Sequence, residues 1–469
     1  VLSPYLPEEI HPSLDSRFVS RILAVNVYDP LVRTGATGEA VPALASTWSN
    51  PSPDLWRFKL RADARFSDGT KVTAADVVRS FERARLPGSI VAGNLAEVRE
   101  IRAESPGVVT ITAAEGSSDL LQTLTSVLIA KESAGGREGL RFIGSGPYEV
   151  TRFVPGERVE MRASPTRAGR VPHVTEAVWK PYGEGAASRE SLRADPRTVV
   201  IDPPAEAVAW AATDRRFAIS SEFSGALAYL AFGLSPAEGG GTRPFAGLES
   251  REAVRLALDV PALLAGIGPA AGYPATQVVP SGVFGFDRGI PLRNRDLAAA
   301  RALLAGTRAL QRRVLLDTTR QNERTARAIA AQLEEAGLSI DVRVHPSRDF
   351  LELIDGGSDL FLFSWVVGPD AGEALKNFFH SRDDARHLGL RNRTAYRSAE
   401  FDAAIMEALA TAEPADRLPR LQRALRVLDR DVPWVPLFTI RSVRIHPADL
   451  RLHARSDAMI LLADLAPAP

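Results

Sequence analysis

The sequence predicts an α/β protein built as two lobes, and three observations carry that expectation. Its 469 residues exceed what one compact core ordinarily holds. Up to Phe232 the pattern is of short strands and helices punctuated by Pro and Gly, and beyond it strands and helices alternate, as in a sheet with helices on its faces. The Gly-rich segment Glu238 to Thr242 marks the change. The expected division gives residues 1–228 with 437–469 to the first lobe and 229–436 to the second.

The elements follow in order. Trp56, Phe58 and Leu60 alternate with Arg57, Lys59 and Arg61, the period-two pattern of a strand with one buried face. Asp68-Gly69 makes a tight turn. Thr73 is placed as an N-cap with Asp76 three residues on, and Val77, Val78 and Phe81 supply the apolar face of the helix. Val108 to Thr112 reads as a strand, Asp119 to Ile129 as a short helix, and Gly144-Ser145-Gly146-Pro147-Tyr148 as a sharp break before another extended run. Tyr229 to Phe232 is strand-like.

In the second half, Arg313 to Asp317 is a buried strand, and a helix from Asn322 stops at Gly337. Leu338, Ile340, Val342 and Val344 then alternate with polar residues. That is a βαβ unit, whose strands are expected to be parallel. Asp359 to Trp365 adds a buried strand. Helices follow over Ala399 to Ala410 and Arg417 to Leu428, before Pro433 and Pro436 break the chain ahead of Leu437 to Ile440.

Composition narrows the function. The chain is 45% hydrophobic and 24% charged, with 57 basic and 57 acidic side chains, so net charge favours neither nucleic acid nor an anionic membrane surface. The absence of cysteine removes disulfides, thiol nucleophiles and Cys-ligated metals. No apolar run approaches the ~20 residues of a membrane span. A signal peptide is either absent by nature or missing; the start at Val1 rather than Met favours a trimmed chain, from which, if the protein is exported, the anchoring or cleavage segment has been removed.

The string Leu55 to Arg83 closely resembles a signature of the extracellular solute-binding proteins of family 5, the peptide/nickel-type binding proteins of ABC importers. Other segments are similar to the family in the same order: Val27 to Val32, Pro42 to Ala45 with Trp48, Gly144 to Tyr148, Ser250 to Asp259, Phe378 to Ser381, and Pro433 to Leu437. The resemblance implies a two-lobed periplasmic-binding-protein-like fold of class II, with an extra subdomain in the first lobe at about 28–144. It also implies a monomer that traps a peptide or peptide-like solute by hinge closure and delivers it to an ABC permease, outside the cytoplasm, with no cofactor and no metal.

The loop after the 359–365 strand is a favoured cleft position, because ligands of open α/β sheets bind at the carboxyl ends of strands. In the family's peptide binders an aspartate three residues after the loop tryptophan pairs with the ligand's ammonium group. That position is Gly368 here, and Asp370 is the nearest carboxylate. The ligand-binding candidates are therefore Asp370, Trp365 and Gly368, with Leu14, Asp15 and Phe18 flanking an extended ligand, and Trp434 and Tyr273 near the cleft. Each has a plainer reading: solvated turn, core tryptophan, surface loop or hinge packing.

Other classes leave less trace. There is no G-x-S-x-G elbow, no H-E-x-x-H and no Walker-type phosphate loop. Gly266-Ile267-Gly268 lacks the third Gly of a dinucleotide loop, and His380 and His387 lack a third ligand. The alternatives within binding are a non-peptide solute, such as a sugar or metal chelate, and a ligand-sensing domain of a regulator.

Overall fold

The computed structural model describes the whole chain apart from residues 15–17, 36–38, 53, 96–97, 114–119, 138–139, 167–171, 183–184, 236–242, 268–271, 347–349, 351–352, 355–357, 369, 385, 387, 412, 454, 456 and 469. Asp15, Pro369, His387 and the whole Glu238–Thr242 segment thus lie outside the described residues. The chain divides into two compact units, Val1–Glu222 with Ser442–Pro469, and Phe223–Arg441. It passes from one to the other within two extended segments, Phe217–Phe232 and Trp434–Pro447.

In the first unit, the antiparallel strands Tyr148–Val154, Arg158–Ala163 and Glu176–Pro181 continue into Leu2–Ser3, which pairs in parallel with Glu176–Pro181 and with Val200–Ile201. Helix Phe18–Val27 buries Val19, Ile22, Leu23 and Val27 in the same cluster as Tyr148, Phe153 and Trp179. A separate four-stranded antiparallel sheet takes the order Ala45–Ser52, Leu55–Leu60, Val108–Ala113, Val98–Ser105. The period-two alternation holds here: Phe58 and Leu60 are buried while Arg57 and Lys59 are exposed. Phe58, Val109 and Ile111 share a core with Phe66, and with Val77 and Phe81 of helix Ala74–Ala84.

That helix opens as its sequence suggests. The Asp76 carboxylate accepts the Thr73 backbone N–H at 2.9 Å and the Thr73 hydroxyl at 2.6 Å. Asp76→Ala removes both bonds, and a loss of about 1 kcal/mol is expected, the usual worth of a helix N-terminal cap. A urea titration of the first unit should show the lower midpoint.

Two glycines of the 144–148 break are required by a close backbone approach. Gly146 N–H donates to the Val27 carbonyl at 2.9 Å. A Cβ on Gly144 would lie 1.9 Å from that same oxygen, and one on Gly146 2.6 Å from it. The expected helix 119–129 is shorter: it covers only Leu120–Leu124. The Thr125 and Ser126 hydroxyls each donate at 2.7 Å to a carbonyl three residues back, and strand Ala130–Arg137 follows.

The second unit is the α/β sheet expected. Arg313–Thr319 and Ser339–His345 are parallel over seven pairs, and Leu360–Val366 runs parallel to Arg313–Thr319 and antiparallel to the 226–232 stretch. Helix Glu323–Glu335 covers one face, its Ala326, Ile329 and Leu333 packing with Leu316, Leu362 and Phe232. Gly337 follows at φ +102°, a left-handed backbone that favours glycine and ends the helix. The other face packs Tyr229, Phe361 and Trp365 against helices Ala399–Leu409 and Pro414–Asp431.

Three boundaries were drawn too tightly from sequence. The 229–232 strand extends back to Phe217, and the 417–428 helix begins at Pro414, a residue suited to a helix's first turn. Pro436, read as a breaker, lies inside Trp434–Pro447. The neighbouring Gly272–Pro274 strand pairs only as far as Phe438, so that strand asks for no N–H from Pro436.

Candidate functional site

The carboxyl ends of Arg313–Thr319, Ser339–His345 and Leu360–Val366 share one edge of the second unit's sheet, because all three strands are parallel. That edge is where an open α/β sheet presents its ligand-facing loops. At it, Asp317 is fully buried and accepts Arg343 Nε and Nη2 at 2.7 Å each. His345 Nε2 stands 2.7 Å from the same carboxylate. The hydrogen bond to Asp317 raises the Arg343 guanidinium above its ordinary pKa, and the two side chains meet in a bidentate pair.

The loop that follows Leu360–Val366 is pinned at both ends. The Val367 N–H donates to the Gly225 carbonyl at 3.0 Å, and the Ala371 N–H to the Phe284 carbonyl at 3.0 Å. Just before the loop, the last strand residue Val366 is exposed, and within it a Cβ on Gly368 would meet no atom within 4 Å. Asp370 is the chemically informative residue. Arg417 Nη1 lies 2.8 Å from its Oδ2, while Oδ1 accepts Arg417 Nη2 at 3.0 Å and the Gly372 N–H at 2.8 Å. Burial holds this carboxyl above its usual range, and the adjacent guanidinium and the Gly372 N–H offset only part of that.

The tryptophans of the region are interior. Trp434 stacks on Tyr229 with ring centroids 3.7 Å apart, and Trp365 meets Trp434 edge-on at 5.2 Å. Both are buried, and neither indole N–H has a partner among the described residues. Tyr273 is half-buried, its hydroxyl 3.2 Å from Ser281 Oγ. Phe284 and Phe286 pack partly buried against the tryptophan cluster. In the first unit, Leu14 is exposed, whereas Phe18, the first residue of helix Phe18–Val27, packs partly buried against the core cluster.

Elsewhere in the second unit Asp429 bridges Arg255 and Arg293, at 2.8 and 2.7 Å, on the wall of a groove of about 550 Å³, solvent included. Among the described residues no three acidic or imidazole side chains form a metal site, and no helix is long and apolar enough to cross a membrane.

Sequence reasoning brought Trp365, Gly368 and Asp370 to one loop and missed Arg417, Asp317, Arg343 and His345. Arg417 lies 47 residues from Asp370, with no local signal linking the two. The Asp317 group left a trace: a carboxylate in an otherwise apolar strand, and Arg343 and His345 two apart on one face of the next.

The structure superposes on the periplasmic binding protein DppA of Helicobacter pylori, solved with the peptide STSA, with a TM-score of 0.86 at 18% identity, covering 99% of this chain and 97% of that one. It superposes on NikA of Staphylococcus aureus, solved with Ni(L-His)2, with a TM-score of 0.81 at 16% identity, covering 100% and 99%. The fold is therefore that of the periplasmic binding proteins.

Among characterised sequences, the probable D,D-dipeptide-binding periplasmic protein DdpA of Escherichia coli K12 is 23% identical over 413 residues, 84% of this chain and 78% of that protein. The glutathione-binding protein GsiB of Shigella dysenteriae is 24% identical over 413 residues, 84% and 79%. Residues 39–386 match the middle region of the bacterial extracellular solute-binding proteins, family 5, and the chain belongs to that family of ABC-importer binding proteins.

Proposed function

We propose that this protein captures a short peptide or peptide-like solute outside the cytoplasm and hands it to an ABC permease, acting as a monomer and leaving the solute chemically unchanged. The observation that carries this reading is that relatives matched along most of the chain are named for a dipeptide and for glutathione, both peptidic. The site chemistry supports it. Extended peptides are held through main-chain groups, with pockets tolerant of side chains, and a loop with exposed Val366 and an open Gly368 at a strand's carboxyl end offers backbone and space.

Capture is a binding equilibrium coupled to bending where the chain passes between its units, at Glu222/Phe223 and Arg441/Ser442. Trp365 and Trp434 brace the loop from within, while Leu14, Asp15, Phe18 and Tyr273 stand as further contact candidates.

Native mass spectrometry of protein purified without unfolding tests the solute class. A set of peptide masses on the intact chain is the expected result. A single sugar or metal-chelate mass would overturn the peptide reading.

A further inference from the structure

We infer that Arg21, in the first unit, receives a carboxylate of the captured solute; this rests on the peptide-capture reading above. Strands Leu2–Ser3, Glu176–Pro181 and Val200–Ile201 are parallel, and Tyr148–Val154 runs in the same direction, two antiparallel steps away from Glu176–Pro181. Helix Phe18–Val27 ends towards the amino edge of these strands, because its Val27 carbonyl accepts the N–H of Gly146, two residues before Tyr148. Its first turn therefore lies towards their carboxyl edge. There Tyr5, two residues beyond Leu2–Ser3, accepts the Val19 N–H on its hydroxyl at 3.0 Å. The carboxyl edge is the ligand-facing one in an open α/β sheet, and Arg21 is the fourth residue of the helix.

Arg21 is half-buried, yet among the described residues its guanidinium makes no hydrogen bond and no ion pair. Burial pushes it below the ordinary guanidinium pKa, and the charge of Asp457 restores only part of that. Asp457 is already engaged: Arg455 Nε and Nη2 hold its two oxygens at 2.9 and 2.7 Å, and the Met459 N–H donates to it at 3.0 Å. The more deeply buried arginines of this unit each have a partner. Arg455 donates also to the Thr34 carbonyl at 2.8 Å, and Arg444 donates to the Ala458 carbonyl.

A partly desolvated cation without a partner is costly. The planar fork of a guanidinium matches a carboxylate in two parallel hydrogen bonds, and a peptidic solute carries that group at its C-terminus or on an acidic side chain. Arg21 thus selects, at the ligand-facing edge, for solutes that bring the missing anion.

The unmodified protein and Arg21→Met are each freed of resident solute and offered an equimolar synthetic library of di- to pentapeptides. Every member is present as free acid and as C-terminal amide, with and without one Glu. Captured peptides are counted by mass, and melting of each solute-free protein is followed by circular dichroism. The unmodified protein is expected to favour carboxylate-bearing members over Glu-free amides by about tenfold, the order of a charge-assisted hydrogen bond. Arg21→Met is expected to lose that preference and to melt no lower, since it leaves no partner behind. A preference for free acids with or without Glu supports the inference with the C-terminus as the source, and equal capture of Glu-bearing amides supports it with a side chain as the source.

Retention of the preference in Arg21→Met, or its absence in the unmodified protein, would overturn the inference while leaving peptide capture intact. A lower melting temperature of solute-free Arg21→Met would also overturn it, by showing that Arg21 serves the fold. Capture of no peptide in any form would sink the peptide reading itself, and this inference with it.

Discussion

Asp370→Ala is expected to destabilise the Phe223–Arg441 unit by about 3–5 kcal/mol, the cost of leaving a buried charge without its partner. The loss does not come from the loop alone. Arg417 is 7% exposed and lies on helix Pro414–Asp431, whose Leu421, Leu425 and Leu428 belong to the same core as Trp365 and Trp434. Removing the carboxylate therefore strains the packing of that helix.

Replacing both partners with apolar residues, Asp370→Leu with Arg417→Met, is expected to recover most of the loss, because buried ion pairs exchange for apolar packing at little cost. Urea titration followed by tryptophan fluorescence, with hydrogen exchange of the 414–431 helix, reads both variants. If Asp370→Ala left midpoint and exchange unchanged, the pair would be solvated and the loop's anchoring would lie elsewhere.

Gly144→Ala carries the second large expected effect, a loss of about 3 kcal/mol or more from the Val1–Glu222 unit. Its methyl would sit 1.9 Å from the Val27 carbonyl oxygen and 2.9 Å from the Tyr28 ring. The obstacle is backbone, which cannot rotate away as a side chain can. Val27 ends helix Phe18–Val27, and Tyr28 is fully buried with its hydroxyl donating to the Ile10 carbonyl at 2.8 Å.

The matched control is Gly107→Ala. That glycine has no atom within 4 Å of an added Cβ and no left-handed φ, so its substitution is expected to be near neutral. Similar melting shifts for the two variants would contradict the close-approach account.

These two sites mark what could be read from the chain and what could not. Local chemistry was legible. The alternation through Phe58 and Leu60, the Thr73–Asp76 cap and the stop at Gly337 each depend on residues within a few positions, and each appears where its pattern put it. The parallel pairing of Arg313–Thr319 with Ser339–His345 followed from the helix between them.

Long-range chemistry was not legible. Nothing near Asp370 announces Arg417, and nothing near Val27 announces that two glycines more than a hundred residues later will touch its carbonyl. The sixteen-residue strand Phe217–Phe232 was seen only at its apolar end. Its first half, Phe-Ala-Ile-Ser-Ser-Glu-Phe-Ser, mixes polar and apolar residues without strict alternation, so periodicity alone had little to detect.

The Asp317 group shows the same limit at the candidate site. A carboxylate inside a buried strand signals an unseen partner, since buried charges are paired, but the identity of Arg343 and His345 depends on strand register. Register is set by the folded sheet. Once Asp317 is opposite Arg343, the bidentate geometry follows.

The account's central claim is reversible capture without chemistry. It is tested most directly by calorimetric titration of the solute-free protein with the solute it co-purifies with, followed by mass analysis of the solute released. One equivalent bound at saturation and a solute recovered at its original mass is the predicted result. Conversion of that solute to any product, or heat without saturation, would contradict it.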